Sequence, residues 1–462
     1  MTPLEITDPA VRHVHIVGIG GKGMSAIGAA LLDMGKTVSG SDLERSPQAE
    51  RLSRRGARIN IGHCADHIAD ADMVIHSSAI PARNPELAAA RAAGAPVRTR
   101  AAAVASLFNH RRGIAIAGTH GKTTTSALTA TILHRAGLAP SFLIGADVPS
   151  LGGMNGRVNT GAWMVLEADE FDDAFLSYRP RVAVLTHLEP DHLDFFGTVD
   201  RMVAAFATFV DRLPGNAILI ARRDVPLLRS VAERHPREVI WFGPGGDWHI
   251  EHYQPGTPGP TLDITGPRGP LVVRLPMPGR HNALNSLAAL AAASLAGVDP
   301  TEAARAIEGF QSAERRLQLR ANAQGVSLFE DYAHHPTAVR ASLQAVRELK
   351  PRRVLAVYQP LLQSRTRELF DDFLDAFGDA DQVLLAEIHS PPGREAPIGI
   401  HSADLAAALR HPNAAALPSF EAIADRVLSE AMAGDLILVM GPESVTPLAD
   451  RLAAEISPVT TE

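Results

Sequence analysis

The sequence predicts an α/β chain of three domains: a Rossmann-like N-terminal unit, a central P-loop unit with a mostly parallel sheet, and a C-terminal doubly wound α/β unit. Three observations predict it. At ~150 residues per domain, 462 residues allow about three. Short apolar runs alternate with helical stretches, the rhythm of parallel βαβ sheets. Two of those runs lead into glycine-rich loops that open helices, at Gly18 and Gly118. With 46% apolar and 21% charged residues the chain can bury several cores, and 37 glycines with 33 prolines are too few for a low-complexity chain.

The first domain is expected over residues 1–108. His13–Val17 reads as a strand ending at glycine, Ser25–Met34 as a small-residue helix closed by Gly35, and Thr37–Asp42 as the next strand. A helix over Gln48–Arg55 and a strand over Met73–Ile75 follow. The second domain is expected over 109–316. It holds the strand Gly113–Ala117, a helix from Ser126 to Ala136, the strand Val182–Thr186, a β-rich stretch over 213–280 and a helix over Asn282–Gly297. The third, 317–462, carries strands at Val354–Tyr358, Gln382–Ala386 and Leu436–Met440.

Charge and cysteine content narrow the partners. A net charge of −7 argues against nucleic acid or an acidic membrane face. The single cysteine, Cys64, excludes a disulfide framework. Residues 1–12 lack the pattern of a secretory signal, and no apolar run of ~18 residues occurs, so a cytoplasmic protein is expected.

The chemistry concentrates in a few clusters. Gly18, Gly20, Gly21 and Gly23 satisfy G-x-G-x-x-G between a strand and a helix. Asp42 follows 19 residues after Gly23, where a ribose-binding acid sits in dinucleotide sites. The backbone of such a loop approaches a diphosphate closely, so a nicotinamide-dependent oxidoreductase is one reading. Gly118, Thr119, His120, Gly121, Lys122, Thr123 and Thr124 form a phosphate loop, with Ile116 where the strict motif has its first glycine. There the amides cradle phosphates, Lys122 brings a point charge and Thr123 a hydroxyl for Mg²⁺. With that loop present, Glu167 and His192 become candidate metal ligands. Downstream lie Gly279-Arg280-His281-Asn282, Arg315-Arg316 and Asp331-Tyr332-Ala333-His334-His335-Pro336, basic and imidazole groups suited to a phosphate-bearing cleft.

In order, GIGGKGMS, SGSD, SSAIP, AGTHGKTTT, EADE, DHLD, GRHNALN, ERR and DYAHHPT resemble the motifs of the Mur ligases of peptidoglycan synthesis, from residue 13 to about 450. The L-alanine-adding branch is the most similar. The resemblance implies an ATP- and Mg²⁺-dependent ligase that joins L-alanine to UDP-N-acetylmuramate through an acyl phosphate, as a monomer or weak dimer. It reassigns the first glycine loop to a UDP-sugar, with Met24, Ser41, Asp42, Ser77 and Ser78 beside that ligand. It implies Lys122 and Thr123 at the ATP phosphates, Thr123, Glu167 and His192 at the metal, and Asn282 at the adenine. By the same token Arg316 meets the phosphates and Asp331 and Tyr332 meet the ribose and base. His335 becomes a candidate base that helps place the amino acid, and Arg365 a group that holds its carboxylate.

The chain also departs from that pattern. Gln359-Pro360-Leu361-Leu362-Gln363-Ser364-Arg365 has two leucines where the branch has histidine and arginine. Thr186-His187 replaces Thr-Asn, Asp169-Glu170-Phe171 replaces Asp-Glu-Ser, and Gly441-Pro442-Glu443 replaces Gly-Ala-Gly. A ligase of the same mechanism with another acceptor, such as a recycled muropeptide, is therefore a second reading, and Leu362→Arg is expected to improve use of L-alanine. A non-catalytic nucleotide binder is a further reading, against which intact Lys122, Glu167 and His192 count.

Overall fold

The computed structural model describes residues 4–391 and 394–457. The outer ends of the first and last expected domains, 1–3 and 458–462, lie outside them. The N-terminal sheet has five parallel strands in the order Arg58–Ile61, Thr37–Asp42, His13–Val17, Met73–His76, Val97–Thr99. The chain starts at the centre and winds outward first one way and then the other. Loops leaving His13–Val17 and Met73–His76 therefore diverge and leave a crevice at their carboxyl ends. The helix expected from Ser25 begins at Lys22. Arg58–Ile61 and Val97–Thr99 have no counterpart in the sequence reading, because three or four half-exposed residues make no apolar run.

The central sheet has seven strands, in the order Val239–Phe242, Ile218–Arg222, Val182–Leu185, Arg112–Ala117, Trp163–Glu167, Ser141–Val148, Met154–Arg157. Every pair is parallel except the last. The helix Lys122–Arg135 packs between this sheet and the helix Arg280–Leu295. Its first turn is polar, so apolar periodicity places its start four residues late, at Ser126. Threonines fill its buried face, and Thr129 Oγ1 satisfies itself on Thr125 O at 2.7 Å. The β-rich stretch contains a three-stranded antiparallel ribbon, His249–Gln254, Thr261–Gly266 and Gly269–Arg274, and is interrupted by the helix Pro226–Ala232.

The C-terminal sheet runs Gln318–Ala323, Val326–Asp331, Asp435–Met440, Arg353–Tyr358, Gln382–Leu385, Ala414–Ala416. It is parallel apart from its first pair, a hairpin closed by Gln324-Gly325, both with positive φ. That geometry is a two-residue turn matching the strand twist. Among the described residues no helix is long and apolar enough to cross a membrane.

Polar contacts join the three sheets. Asn155 Nδ2 donates to Lys22 O at 2.8 Å and Arg51 pairs with Asp147, which set the first glycine loop beside the central sheet. On the other side Arg316 reaches Thr123, Arg365 reaches Asp191, and Thr337 reaches Glu189.

Candidate functional site

The phosphate loop leaves the carboxyl end of Arg112–Ala117, at the centre of the sheet. Gly118 (φ +131°) passes so close to the next strand's loop that a Cβ would lie 2.4 Å from Thr186 Oγ1. Gly121 (φ +80°) caps the helix, and a Cβ there would lie 2.4 Å from Asn285 Oδ1. Only glycine fits either place. The first amides of Lys122–Arg135 point out of this loop, where an anion gains most from the helix dipole.

Lys122 Nζ donates to Gly118 O at 2.7 Å and to Glu170 Oε1 at 2.8 Å. Burial by itself would lower the Lys122 pKa, but Glu170, Asp169 and Glu167 raise it and keep the ammonium charged. Burial also pushes the Glu170 carboxyl up, with Asp169 adding to this and Lys122 opposing it. Both directions follow from three carboxylates facing one ammonium. Glu170 Oε2 is buried without a hydrogen-bond partner. Thr123 Oγ1 donates to Glu167 Oε1 at 2.8 Å, and Glu167 Oε2 accepts from Gly145 N at 2.7 Å. A hydroxyl, two carboxylates and an orphaned oxygen suit a hard divalent cation that takes oxygen ligands.

His192 begins a short helix in the left-handed region (φ +52°). Its Nδ1 lies 3.3 Å from Arg365 Nη2, and its Nε2 lies 3.9 Å from Asp191 Oδ2. Arg365 is buried and pairs with Asp191 at 2.8 Å, holding that carboxyl far below its usual range despite burial. Arg365 thus braces the loop that carries His192, instead of standing open to an amino acid's carboxylate. Leu362 is 5% exposed with φ +64°, its amide bonded to His389 O. Its side chain is buried, so an arginine there would have to bury its charge and the expected gain toward L-alanine does not follow.

Arg316 Nη2 donates to Thr123 Oγ1 at 2.9 Å, and its guanidinium lies 5.1 Å from the centre of the Tyr332 ring. Asn282 turns back on its own helix, donating to Pro278 O at 2.8 Å. Asp331 is buried, bonded to Ser342, and its carboxyl is raised by burial. Thr124 is buried behind the loop. Of these downstream residues, Arg316 reaches the loop with Tyr332 against its guanidinium, while Asn282 and Asp331 are satisfied internally.

His335 caps the helix Pro336–Arg347, accepting from Thr337 N at Nδ1 while Nε2 lies 3.1 Å from Pro190 O. A carbonyl accepts only, so the proton is on Nε2. Burial lowers the ring's pKa, which keeps it neutral. With both nitrogens engaged and the ring buried, His335 is a positioning group, and the expected role as a base is withdrawn.

In the first unit, Gly18 and Ile19 donate to Ser41 O, and Gly20 N donates to Asp42 Oδ2 at 2.8 Å. Gly21 begins the helix Lys22–Asp33 and Gly23 lies in its first turn. Ser77 lies beside Gly18, and Ser78 is exposed on the same turn. Two expected ligand groups are placed elsewhere. Met24 is 2% exposed in the apolar core, because helical periodicity turns it toward the sheet. Ser41 Oγ is buried, donating to Glu86 Oε2 at 2.6 Å and lying 3.0 Å from His63 Nδ1.

Sequence reasoning passed over Glu170, Glu189 and Arg100. Arg100 lies against Gly23 and 3.7 Å from Asp169, and so links the first glycine loop to the acidic turn of the central domain. Glu189 contacts His120, His335 and Thr337. Glu170 stands next to Asp169 in EADE, and Glu189 two residues before Asp191; only the fold shows which acid meets which base.

Comparison with known proteins adds a family to this geometry. Residues 13–112 match the Mur ligase family catalytic domain, 116–293 the Mur ligase middle domain, and 315–442 the Mur ligase, glutamate ligase domain. The UDP-N-acetylmuramate–L-alanine ligase of Symbiobacterium thermophilum is 41% identical over 456 residues, 96% of this chain and 94% of that one. Its namesake in Sinorhizobium medicae is 38% identical, covering 97% of each chain. Among solved structures, the UDP-N-acetylmuramate–alanine ligase of Thermotoga maritima superposes with a TM-score of 0.81 at 24% identity, covering 96% of this chain and 98% of that one. A murein peptide ligase from Psychrobacter arcticus superposes with 0.71 at 26% identity, covering 98% and 100%.

Proposed function

The chain belongs to the Mur ligase family, and on that premise we propose that it is an ATP-dependent ligase that forms an amide between L-alanine and UDP-N-acetylmuramate. The observation that carries the reading is the buried Lys122–Glu170 pair beside Thr123 and Glu167 at the mouth of the phosphate loop. Near-full-length identity to ligases of that name supports the substrates. The nicotinamide reading has no such support, since Asp42, at the end of the second strand, is engaged with Gly20 N of the glycine loop.

In this chemistry a carboxylate oxygen of the sugar attacks the γ-phosphorus, ADP leaves, and an acyl phosphate forms. The neutral amine attacks the acyl carbon, inorganic phosphate leaves, and the amine releases a proton. The protein's share is positioning and charge. The loop amides and Lys122 hold the phosphates, and Arg316 brings a second cation beside Thr123. Thr123, Glu167 and His192 would hold Mg²⁺, which supplies charge neutralisation at the phosphoryl group. Gly18–Gly23 and Ser77 face the crevice suited to a diphosphate, and the units 1–108, 109–316 and 317–462 divide sugar, ATP and amino acid among them.

The test is phosphate release with UDP-N-acetylmuramate, ATP and each of the twenty amino acids or short peptides. Release with L-alanine above all others is expected. Release only with peptides would transfer the reading to a peptide acceptor, and no release with any acceptor would overturn it.

A further inference from the structure

One group of side chains next to the phosphate loop has a geometry that phosphate binding does not require. His120, Glu189 and His335 each present a ligand atom, and these atoms all lie within 4.8 Å of one another. His120 Nε2 meets Glu189 Oε1, and His335 Nδ1 lies 3.3 Å from the same oxygen. His120 and Glu189 come from loops of the central sheet, whereas His335 caps a helix packed on the C-terminal sheet.

The groups behind these three atoms are also in place. His335 Nε2–H donates to Pro190 O, and its Nδ1 lies 3.3 Å from both Glu189 Oε1 and Thr337 N, so on ligation Nδ1 gives up that long helix-cap bond to the ion. Thr337 Oγ1 donates to Glu189 Oε2 at 3.0 Å and fixes that carboxylate's orientation. An imidazole whose far nitrogen donates to a carbonyl, and a carboxylate held by a hydroxyl, are the outer partners that metal ligands have. The His187 ring packs against His120, its centre 5.5 Å away and its plane tilted by 41°, and limits that ring's movement.

We propose that His120 Nε2, Glu189 Oε1 and His335 Nδ1 form a site for a zinc-class divalent cation that clasps the central sheet to the C-terminal one. Two imidazoles and one carboxylate are the donors such an ion takes, and they leave a fourth position open. Mg²⁺ prefers oxygen and does not compete well here. The ion takes the place of the hydrogen between His120 Nε2 and Glu189 Oε1, and the His120 ring then carries its N–H on Nδ1. The site is separate from the oxygen-rich set at Thr123 and Glu167. It does not rest on the identity of the acceptor.

The test is Zn²⁺ binding to the full chain by calorimetry and by metal analysis after dialysis, with Mg²⁺ in excess and no nucleotide. Wild type is expected to hold one more equivalent of Zn²⁺ than either Glu189→Gln or His335→Ala. Co²⁺ is expected to give visible ligand-field bands of a low-coordinate nitrogen–oxygen site in wild type alone. Thr337→Val, which removes only the outer hydroxyl, is expected to weaken Zn²⁺ about 10- to 100-fold and serves if the other variants fail to fold. Equal zinc stoichiometry and affinity in wild type, Glu189→Gln and Thr337→Val would overturn the proposal.

Discussion

Lys122→Ala separates what that residue does for the fold from what it does for chemistry. In the wild type its ammonium lies 2.8 Å from Glu170 Oε1, and Glu170 is 1% exposed with its other oxygen unpartnered. Removing the lysine leaves a buried carboxylate facing Asp169. Breaking a buried pair costs about 3–5 kcal/mol while the remaining charge stays ionised. Protonation of Glu170 caps that cost, since each unit of pKa is worth about 1.4 kcal/mol. Burial already raises this carboxyl, and the variant raises it further. The folded state then binds a proton that the unfolded chain has released. Stability is therefore whole below the unfolded carboxyl pKa and is lost as pH rises through the folded one. Urea unfolding is expected to show a deficit of ~3 kcal/mol at alkaline pH, about 9, that shrinks as the pH falls toward the unfolded carboxyl value. Adding Glu170→Gln recovers most of the stability and none of the ATP-dependent phosphate release. A single variant as stable as wild type near pH 9, or one that still releases phosphate, would refute the reasoning.

Four further outcomes are expected. Burial would raise Glu86, but contacts from His15, Ser41 and His67 hold it at about 2. From the ordinary carboxyl value of 4.5 this contributes roughly 3 kcal/mol, present above that value and lost as pH falls through about 2; acid unfolding of Glu86→Gln should lack this slope. Arg365→Met leaves Asp191 buried and alone, so denaturant unfolding should show a loss of about 3 kcal/mol, partly restored by Asp191→Asn. Gly20→Ala brings a Cβ within 2.8 Å of Asp42 Oδ2 and 2.7 Å of Ser46 Oγ; calorimetry should show weakened UDP-sugar binding with ATP binding retained. Leu362→Arg should lower the melting temperature, by burial of a charge worth about 2 kcal/mol or more, without improving KM for L-alanine.

Much of the molecule was legible in the residues because its signals are local. Strands such as Val182–Leu185 and Val354–Tyr358 are buried along their whole length and read as unbroken apolar runs. The phosphate loop was legible because glycines with positive φ, a lysine and a hydroxyl must follow one another in order there. The short edge strands and the polar first turn of Lys122–Arg135 were not, since tertiary packing and not local pattern sets them.

By itself the sequence determined three α/β units, the two glycine loops and the family's motif order, all consequences of neighbouring residues obeying backbone and helix-dipole rules. The tertiary structure alone decided which charges meet. It paired Arg365 with Asp191, turned Met24 and Ser41 inward, took His335 out of acid–base service, and set His120, Glu189 and His335 together. The physical reason is range. A charge or lone pair acts across a few ångströms of space, and residues 120, 189 and 335 become neighbours only when two sheets dock.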